Sequence, residues 1–166
     1  MPKAKNIVKT NAMRVLDAKK IPYEVKLYSD EIHSAAGVAE IFGIPSAQVF
    51  KTLVVLPESG QSRSLLVVVP GDHAIELKVL GQQPAVGEKK LRMATQREAE
   101  SLTGLLVGGI SALALLQKGF RVFIDYSALS LEQMYVNGGQ RGLNLKLSPA
   151  DFIKISGAIP VTTHQN

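Results

Sequence analysis

A lysine enclosed by aliphatic neighbours is the first place in this chain where chemistry could be done. In Val49-Phe50-Lys51-Thr52-Leu53-Val54-Val55-Leu56 the β-branched content predicts an extended strand. Lys51 then shares one face with Leu53 and Val55, while Phe50, Thr52, Val54 and Leu56 take the other. An ammonium group is costly to desolvate without a partner. Its head must snorkel to water at the start of the strand or point into a pocket that receives an anion or a polarised oxygen, and the local pattern leaves both open. Two glycine-rich stretches downstream bear on that choice: Gly108-Gly109-Ile110-Ser111 and Asn137-Gly138-Gly139-Gln140-Arg141-Gly142. Glycine pairs let backbone approach a ligand closely, and consecutive N–H groups can form an oxyanion-binding concavity. Gly138-Gly139 lies between two strand-like segments and reads first as a hairpin turn. Gly108-Gly109 precedes an apolar Ile110 rather than a polar turn residue, so the turn and ligand-binding readings stand level there.

Other chemistries lack their residues. The chain has three histidines, so a Ser-His-Asp arrangement would have to use His33 or His73, with His164 near the end. Neither G-x-S-x-G nor H-E-x-x-H occurs, and the glycine runs match neither the dinucleotide fingerprint nor the P-loop. No metal-ligand spacing stands out. Cysteine is absent, which removes disulfides, zinc-thiolate sites and a protein thiol nucleophile together. One lysine, several hydroxyls and two glycine-rich loops remain, a set better suited to positioning a substrate than to attacking it.

The elements that must position these residues can be read from periodicity and caps. Asn11 is the expected cap of a first helix with Ala12, Met13, Leu16 and Lys19 near one stripe, ending before Pro22. A strand follows over Tyr23 to Tyr28, with Tyr28 facing away from Tyr23, Val25 and Leu27. Ser34 caps a helix closed by Gly43. The lysine strand and Leu65 to Val69 should pair as a hairpin across the break from Pro57 to Gln61. A short helix is expected from Glu76 to Leu80, stopped at Gly81. Thr95-Gln96-Arg97-Glu98 has capping-box spacing and predicts a helix from Gln96 to about Leu102, ending at Gly104. Strands are expected at Arg121 to Asp125, Gln133 to Val136 and Leu143 to Leu147, and Ser148-Pro149 opens a last helix. The resulting expectation is an α+β fold with one mixed, largely antiparallel sheet flanked by short helices.

With 166 residues the chain is long enough to bury a real core, and a single domain over residues 1–166 is expected, with loose tails at about 1–10 and 157–166. No apolar run approaches the roughly 20 residues that cross a membrane. Met1 to Asn6 is basic but lacks the apolar segment and cleavage site of a signal peptide, so a cytoplasmic location is expected. A net charge of +5 favours an anionic partner, while the absence of tryptophan argues against a stacking surface for extended single strands.

Several blocks together carry a resemblance. Val49-Phe50-Lys51-Thr52-Leu53-Val54-Val55, Thr103-Gly104 with Gly108-Gly109-Ile110-Ser111, Ile124-Asp125, and Tyr135-Val136-Asn137-Gly138-Gly139-Gln140-Arg141-Gly142-Leu143 resemble, in order and spacing, the successive blocks of the YbaK family. These are free-standing aminoacyl-tRNA deacylases related to the editing domain of bacterial prolyl-tRNA synthetase. The likeness runs from about Ala12 to Ile155. It implies a domain that clears wrongly attached amino acids from tRNA, chiefly tRNA for proline, without a metal or organic cofactor. Lys51 matches the family's functional lysine, with Thr52 beside it. Tyr28, followed by Ser29 and Asp30, falls at the family's pocket tyrosine. Gly108, Gly109, Ile110 and Ser111 match the loop that holds the aminoacyl group. This chain departs where the family has proline (here Ala112), where YbaK has a serine before the double glycine (Asn137), and where it has an aspartate (Asn144). Leu113 to Gly119 is also more apolar than usual. Those swaps bear on which amino acid is accepted.

The implied chemistry agrees with the residues. An aminoacyl ester is already activated, so cleavage needs an aligned nucleophile and stabilisation of charge developing on the carbonyl oxygen. The resemblance implies water or a substrate group as nucleophile, such as a cysteine thiol closing on its own carbonyl, with the neighbouring ribose hydroxyl assisting. Lys51, Gly108 and Gly109 are expected to act on the terminal nucleotide and ester carbonyl. Tyr28, Thr52, Ile110, Ser111, Asn137, Gly138 and Asn144 are expected to contact substrate. The expected partners are the acceptor end of mischarged tRNA and, as a candidate, prolyl-tRNA synthetase; no metal, cofactor or membrane is expected. A charged-tRNA-binding module without turnover and a small-molecule aminoacyl ester hydrolase stay open as alternatives.

Overall fold

Four of the protein's α-helices begin where a short polar side chain takes up a free backbone N–H. The structure, a computed structural model, describes residues 8–60 and 63–165, so Met1 to Asn6 and Gln61 lie outside the described residues. Helix α1 (Asn11–Ala18) is capped by Thr10, whose hydroxyl accepts from the Met13 N–H at 3.2 Å. Asn11, the expected cap, sits in the first turn and accepts from Arg14 at 3.0 Å instead. Both residue types cap well, and using Thr10 adds a residue to the helix without moving the buried stripe of Ala12, Met13 and Leu16. Lys19, expected on that stripe, is the exposed C-cap. Helix α2 (Ala35–Phe42) is capped by Ser34 and closed by Gly43 at φ 67°. Helix α3 (Leu77–Gln82) runs through Gly81, the expected stop, because that glycine serves close packing: a Cβ there would stand 2.4 Å from the Glu88 carbonyl oxygen. Helix α4 (Gln96–Thr103) carries the expected Thr95/Glu98 capping box, and α5 (Pro149–Ser156) the expected Ser148 cap with proline at its start.

The fold is α+β with mainly antiparallel pairing, but the strands form two sheets rather than the single one expected. One sheet has the order β4-β2-β3-β5-β8, from β2 (Phe50–Pro57), β3 (Leu65–Pro70), β4 (Leu91–Met93), β5 (Arg121–Asp125) and β8 (Ile159–Val161). The other has the order β1-β7-β6, from β1 (Glu24–Leu27), β6 (Met134–Asn137) and β7 (Leu143–Leu147). They touch at a parallel bridge between Val49 and Tyr135. Alternation specifies a strand's faces but not its neighbour. Both sheets turn a face toward one core, where Phe50, Val54, Leu66, Val68 and Ile124 meet Val136, Leu143 and Leu145. On the far side of the larger sheet Val55, Leu65, Val67, Val69 and Phe123 pack with Leu80 of α3.

The segment 157–166, expected to be a loose tail, is ordered through residue 165. Strand β8 pairs in parallel with β5, the Thr163 side chain is fully buried and donates to Asp125, and the His164 ring lies on that of His73 with centroids 4.1 Å apart. The cause is a buried carboxylate that needs donors. Burial pushes Asp125 up, but hydrogen bonds from Ser127 and Thr163, with His164 nearby, hold it below its ordinary value on balance. At the other end, residues 1–7 of the expected tail lie outside the described residues. No helix among the described residues is long and apolar enough to cross a membrane.

Candidate active site

The seam between the two sheets leaves part of a strand edge open. β3 pairs with β2 along one edge, whereas the other is bridged to β6 near its start, at Val49, and to β4 near its end, at Val55. Two hydrogen bonds fix which backbone groups face the gap. The Val49 carbonyl accepts from Gly71 N–H at 2.7 Å on the β3 side, and the Val54 carbonyl accepts from Ala94 N–H at 3.0 Å on the β4 side. Alternation along an antiparallel strand therefore turns the N–H and C=O of Thr52 toward the open edge. Strand β4 cannot cover them, because the chain turns into α4 at Thr95.

A cavity of about 370 Å³ fills this gap, within the usual size range of small-ligand sites. Of the residues expected to act, Tyr28, Lys51, Thr52, Gly108, Ile110, Asn137 and Asn144 line it. Gly109, Ser111 and Gly138 do not. Lys51, opposite Val69 in the sheet, is half-buried, and its ammonium makes no ion pair or hydrogen bond among the described residues. The residue lines the cavity wall.

The glycine loop departs from the expected pair of donors. Gly109 N–H donates to the Leu106 carbonyl at 2.7 Å and is taken up by the turn. Gly108, at φ 92°, has an N–H with no partner among the described residues. Gly109 is needed for a different reason: a Cβ there would come 2.9 Å from the Arg141 nitrogen, where the second glycine-rich loop crosses. Ser111 lies behind the loop, 2% exposed, its hydroxyl unpartnered among the described residues. Gly138 is a core position, since a Cβ there would stand 2.1 Å from Leu143 Cδ2.

Asn137 holds the two loops together. Its Nδ2 donates to the Gly108 carbonyl at 2.7 Å and to the Gln140 carbonyl at 3.2 Å, while its Oδ1 accepts from Gly139 N–H at 2.7 Å. Asn144, directly across the β6/β7 pair from Asn137, is 3% exposed yet lines the cavity, and its carboxamide has no side-chain hydrogen bond among the described residues. Burial pushes the Tyr28 phenol up, against weaker downward pulls from the Gly142 backbone and the Asn137 side chain. It stays a neutral hydroxyl near neutral pH, able to donate. Among the described residues no cluster of three or more His, Asp or Glu side chains is placed to hold a metal ion.

Sequence reasoning missed several walls of the cavity: His33, Gly71, Thr95 and Gln96. The sequence marks His33 only as a triad candidate and Thr95 only as a cap. At Gly71 a Cβ would meet Ala35 Cβ at 2.2 Å, so the glycine lets β3's end and α2 close the wall together. These residues converge through topology, and no local pattern announces that.

Comparison with known proteins adds a second line. The model of the aminoacyl-tRNA editing domain matches residues 29–155. A protein of Enterococcus faecalis, EbsC, named for a proposed Cys-tRNA(Pro)/Cys-tRNA(Cys) deacylase activity, is 32% identical over 158 residues, covering 94% of this chain and 93% of its own length. A proline–tRNA ligase of Trichlorobacter lovleyi is 26% identical over 142 residues, which is 80% of this chain and 24% of the ligase. A crystal structure described as a proposed trans-editing enzyme for prolyl tRNA synthetase shares the fold at a TM-score of 0.78, with 22% identity, over 96% of this chain and 100% of the other.

Proposed function

The chain belongs to the aminoacyl-tRNA editing domain family, and on that premise we propose that it is a deacylase acting in trans on tRNA that carries the wrong amino acid. The observation that carries this reading is that Lys51, unpaired among the described residues, and Gly108, whose N–H is unpartnered there, line one cavity at an open strand edge. An ester carbonyl set between them gains a cation and an N–H donor where negative charge develops, the arrangement that lowers the barrier of acyl transfer most. Water, assisted by the ribose hydroxyl beside the ester, attacks the carbonyl carbon. The ester C–O bond then breaks and the terminal ribose recovers its hydroxyl. For a cysteinyl ester the substrate's own thiol can make that attack and leave as a cyclic thioester.

The amino acid side chain would lie toward Tyr28, Thr52 and Asn144. A phenol, a hydroxyl and an unpartnered carboxamide suit a small polar side chain, and cysteine on tRNA for proline is the substrate we propose. The likeness to part of a proline–tRNA ligase supports that synthetase as a partner delivering the tRNA, and the cytoplasm as the place of work.

The test is a panel of charged tRNAs assayed for hydrolysis and for binding, with Lys51→Ala as the decisive variant. Turnover should fall at least about 100-fold, while the melting temperature moves by no more than about 2 °C. Unaltered turnover removes Lys51 from the mechanism. Binding of charged tRNA without any hydrolysis by the wild-type chain would identify a carrier module instead. Activity should also weaken as salt is added, because tRNA phosphates contribute to binding; a flat salt response would point to a small ester as the substrate.

A further inference from the structure

Arg141 has no role in the reading above, yet the fold holds it beside the cavity. Its Nε donates to the Val107 carbonyl at 2.7 Å, which lays the side chain across the Gly108 turn. Arg141 Cγ and Nε both lie 3.4 Å from the point where a Gly108 Cβ would stand, and His33 Cβ lies 3.6 Å from the same point. Arg141 and His33 thus flank a glycine of the cavity wall. His33 itself lines the cavity and Arg141 does not, so the guanidinium sits at the rim. The bond through Nε leaves both terminal nitrogens without a hydrogen-bond partner among the described residues. No carboxylate there pairs with them either, although Asp30 is close by, its Cβ 3.4 Å from where Gly142 would carry one. A guanidinium fixed by one N–H with the rest of its fork open is preorganised for an oxyanion, above all the paired oxygens of a phosphate.

We propose that Arg141 binds the phosphodiester on the 5′ side of the terminal adenosine of charged tRNA, an assignment that rests on the deacylase reading. A phosphate is too costly to desolvate inside a cavity walled largely by apolar side chains, so it must stay at the mouth while the adenosine and its ester go in. The rim cation meets it there. Lys51, on β2, is then left for the oxygens of the ester and ribose, and the two cations divide the substrate between them.

Equilibrium binding of adenosine 5′-monophosphate and of adenosine to the full chain separates this assignment from turnover. The wild type should bind the monophosphate about tenfold more tightly. Arg141→Ala should erase that preference with adenosine affinity unchanged, and Arg141→Lys should keep part of it. Equal affinity of the wild type for both ligands overturns the assignment whether or not any tRNA is cleaved. So does a preference that survives Arg141→Ala but vanishes in Lys51→Ala, which would place the phosphate on Lys51. In deacylation, Arg141→Ala should raise KM for charged tRNA about tenfold, leave kcat within about twofold and leave an aminoacyl-adenosine without the phosphate untouched. An equal loss on both substrates would mean that Arg141 only props the Gly108 turn. Absence of deacylation by the wild type would sink the deacylase reading while the nucleotide preference still stood.

Discussion

The chain contains two Gly-Gly dipeptides that end up side by side and do different work. At Gly108-Gly109 the first residue lines the cavity and its missing Cβ faces the side chains of Arg141 and His33, while the second lets another backbone pass. At Gly138-Gly139 the first is pressed on buried Leu143 and Leu145, and the second turns a hairpin at φ 102°. Asn137 joins them, bonding to Gly108 with one end of its amide and to Gly139 with the other. The difference teaches that a glycine pair is functional or structural according to what occupies the space of its absent side chains. Dipeptide identity carries no such information.

Cutting the link tests the comparison most severely. Asn137→Ala removes three hydrogen bonds and leaves the Gly108 carbonyl without its donor, and should cost about 2–3 kcal/mol of stability together with most of the turnover. Thermal melts and single-turnover deacylation measure the two losses. If only one of them appears, the loops are not coupled through this side chain.

Gly138→Ala should cost about 2 kcal/mol, or roughly 4–8 °C in melting temperature, because the new methyl must displace a fully buried leucine. The folded fraction should keep its kcat. Gly108→Ala should do the reverse. Its φ of 92° strains an alanine by about 1 kcal/mol and shifts the loop whose free N–H lines the cavity, so turnover should drop about tenfold while the melt shifts little. Loss of kcat in Gly138→Ala at unchanged stability would erase the distinction between the two pairs.

How much of this was legible in the sequence follows the same divide between local and distant causes. The Thr95/Glu98 capping box, the Ser34 and Ser148 caps, the β2/β3 hairpin and the turn at Gly138 are specified within a few residues, and they form as expected. The α+β class and the family are equally readable, since they depend on the order of such elements. The split into two sheets was hidden, because it depends on which strand meets which. So was β8, whose place is set by Asp125 and Thr163, 38 positions apart. Within the site, Lys51 and Gly108 could be singled out by residue type against an apolar background, whereas Thr52, Tyr28 and Asn144 were marked only by the family resemblance. The turn that takes up the Gly109 N–H is local but carries no residue-type signal, and the walls from His33, Gly71 and Thr95 arise only when loops converge.

The opposite wall of the cavity, at the start of α4, offers the smallest test. Thr95 and Gln96 line the cavity, and Thr95 is held by Glu98, whose carboxylate accepts from Thr95 N–H at 3.0 Å and from Arg92 at 2.7 Å. The Arg92 guanidinium and the Thr95 amide bring Glu98 down to about 2 from an ordinary 4.5. A carboxylate whose pKa is lower folded than unfolded adds stability that is complete above about 4.5 and is lost as pH falls toward 2. Glu98 is solvent-accessible, so the contribution is minor, and its signature should be local. The Thr95 amide resonance should titrate with a midpoint near 2 and lose protection from exchange below it, and Glu98→Gln should abolish that titration. The Gly108 amide across the cavity, which faces no titrating carboxylate in that wall, should not follow the same curve. If both amides move together, the two walls open as one unit, and the glycine loop is not the independent element that its contrast with Gly138-Gly139 makes it.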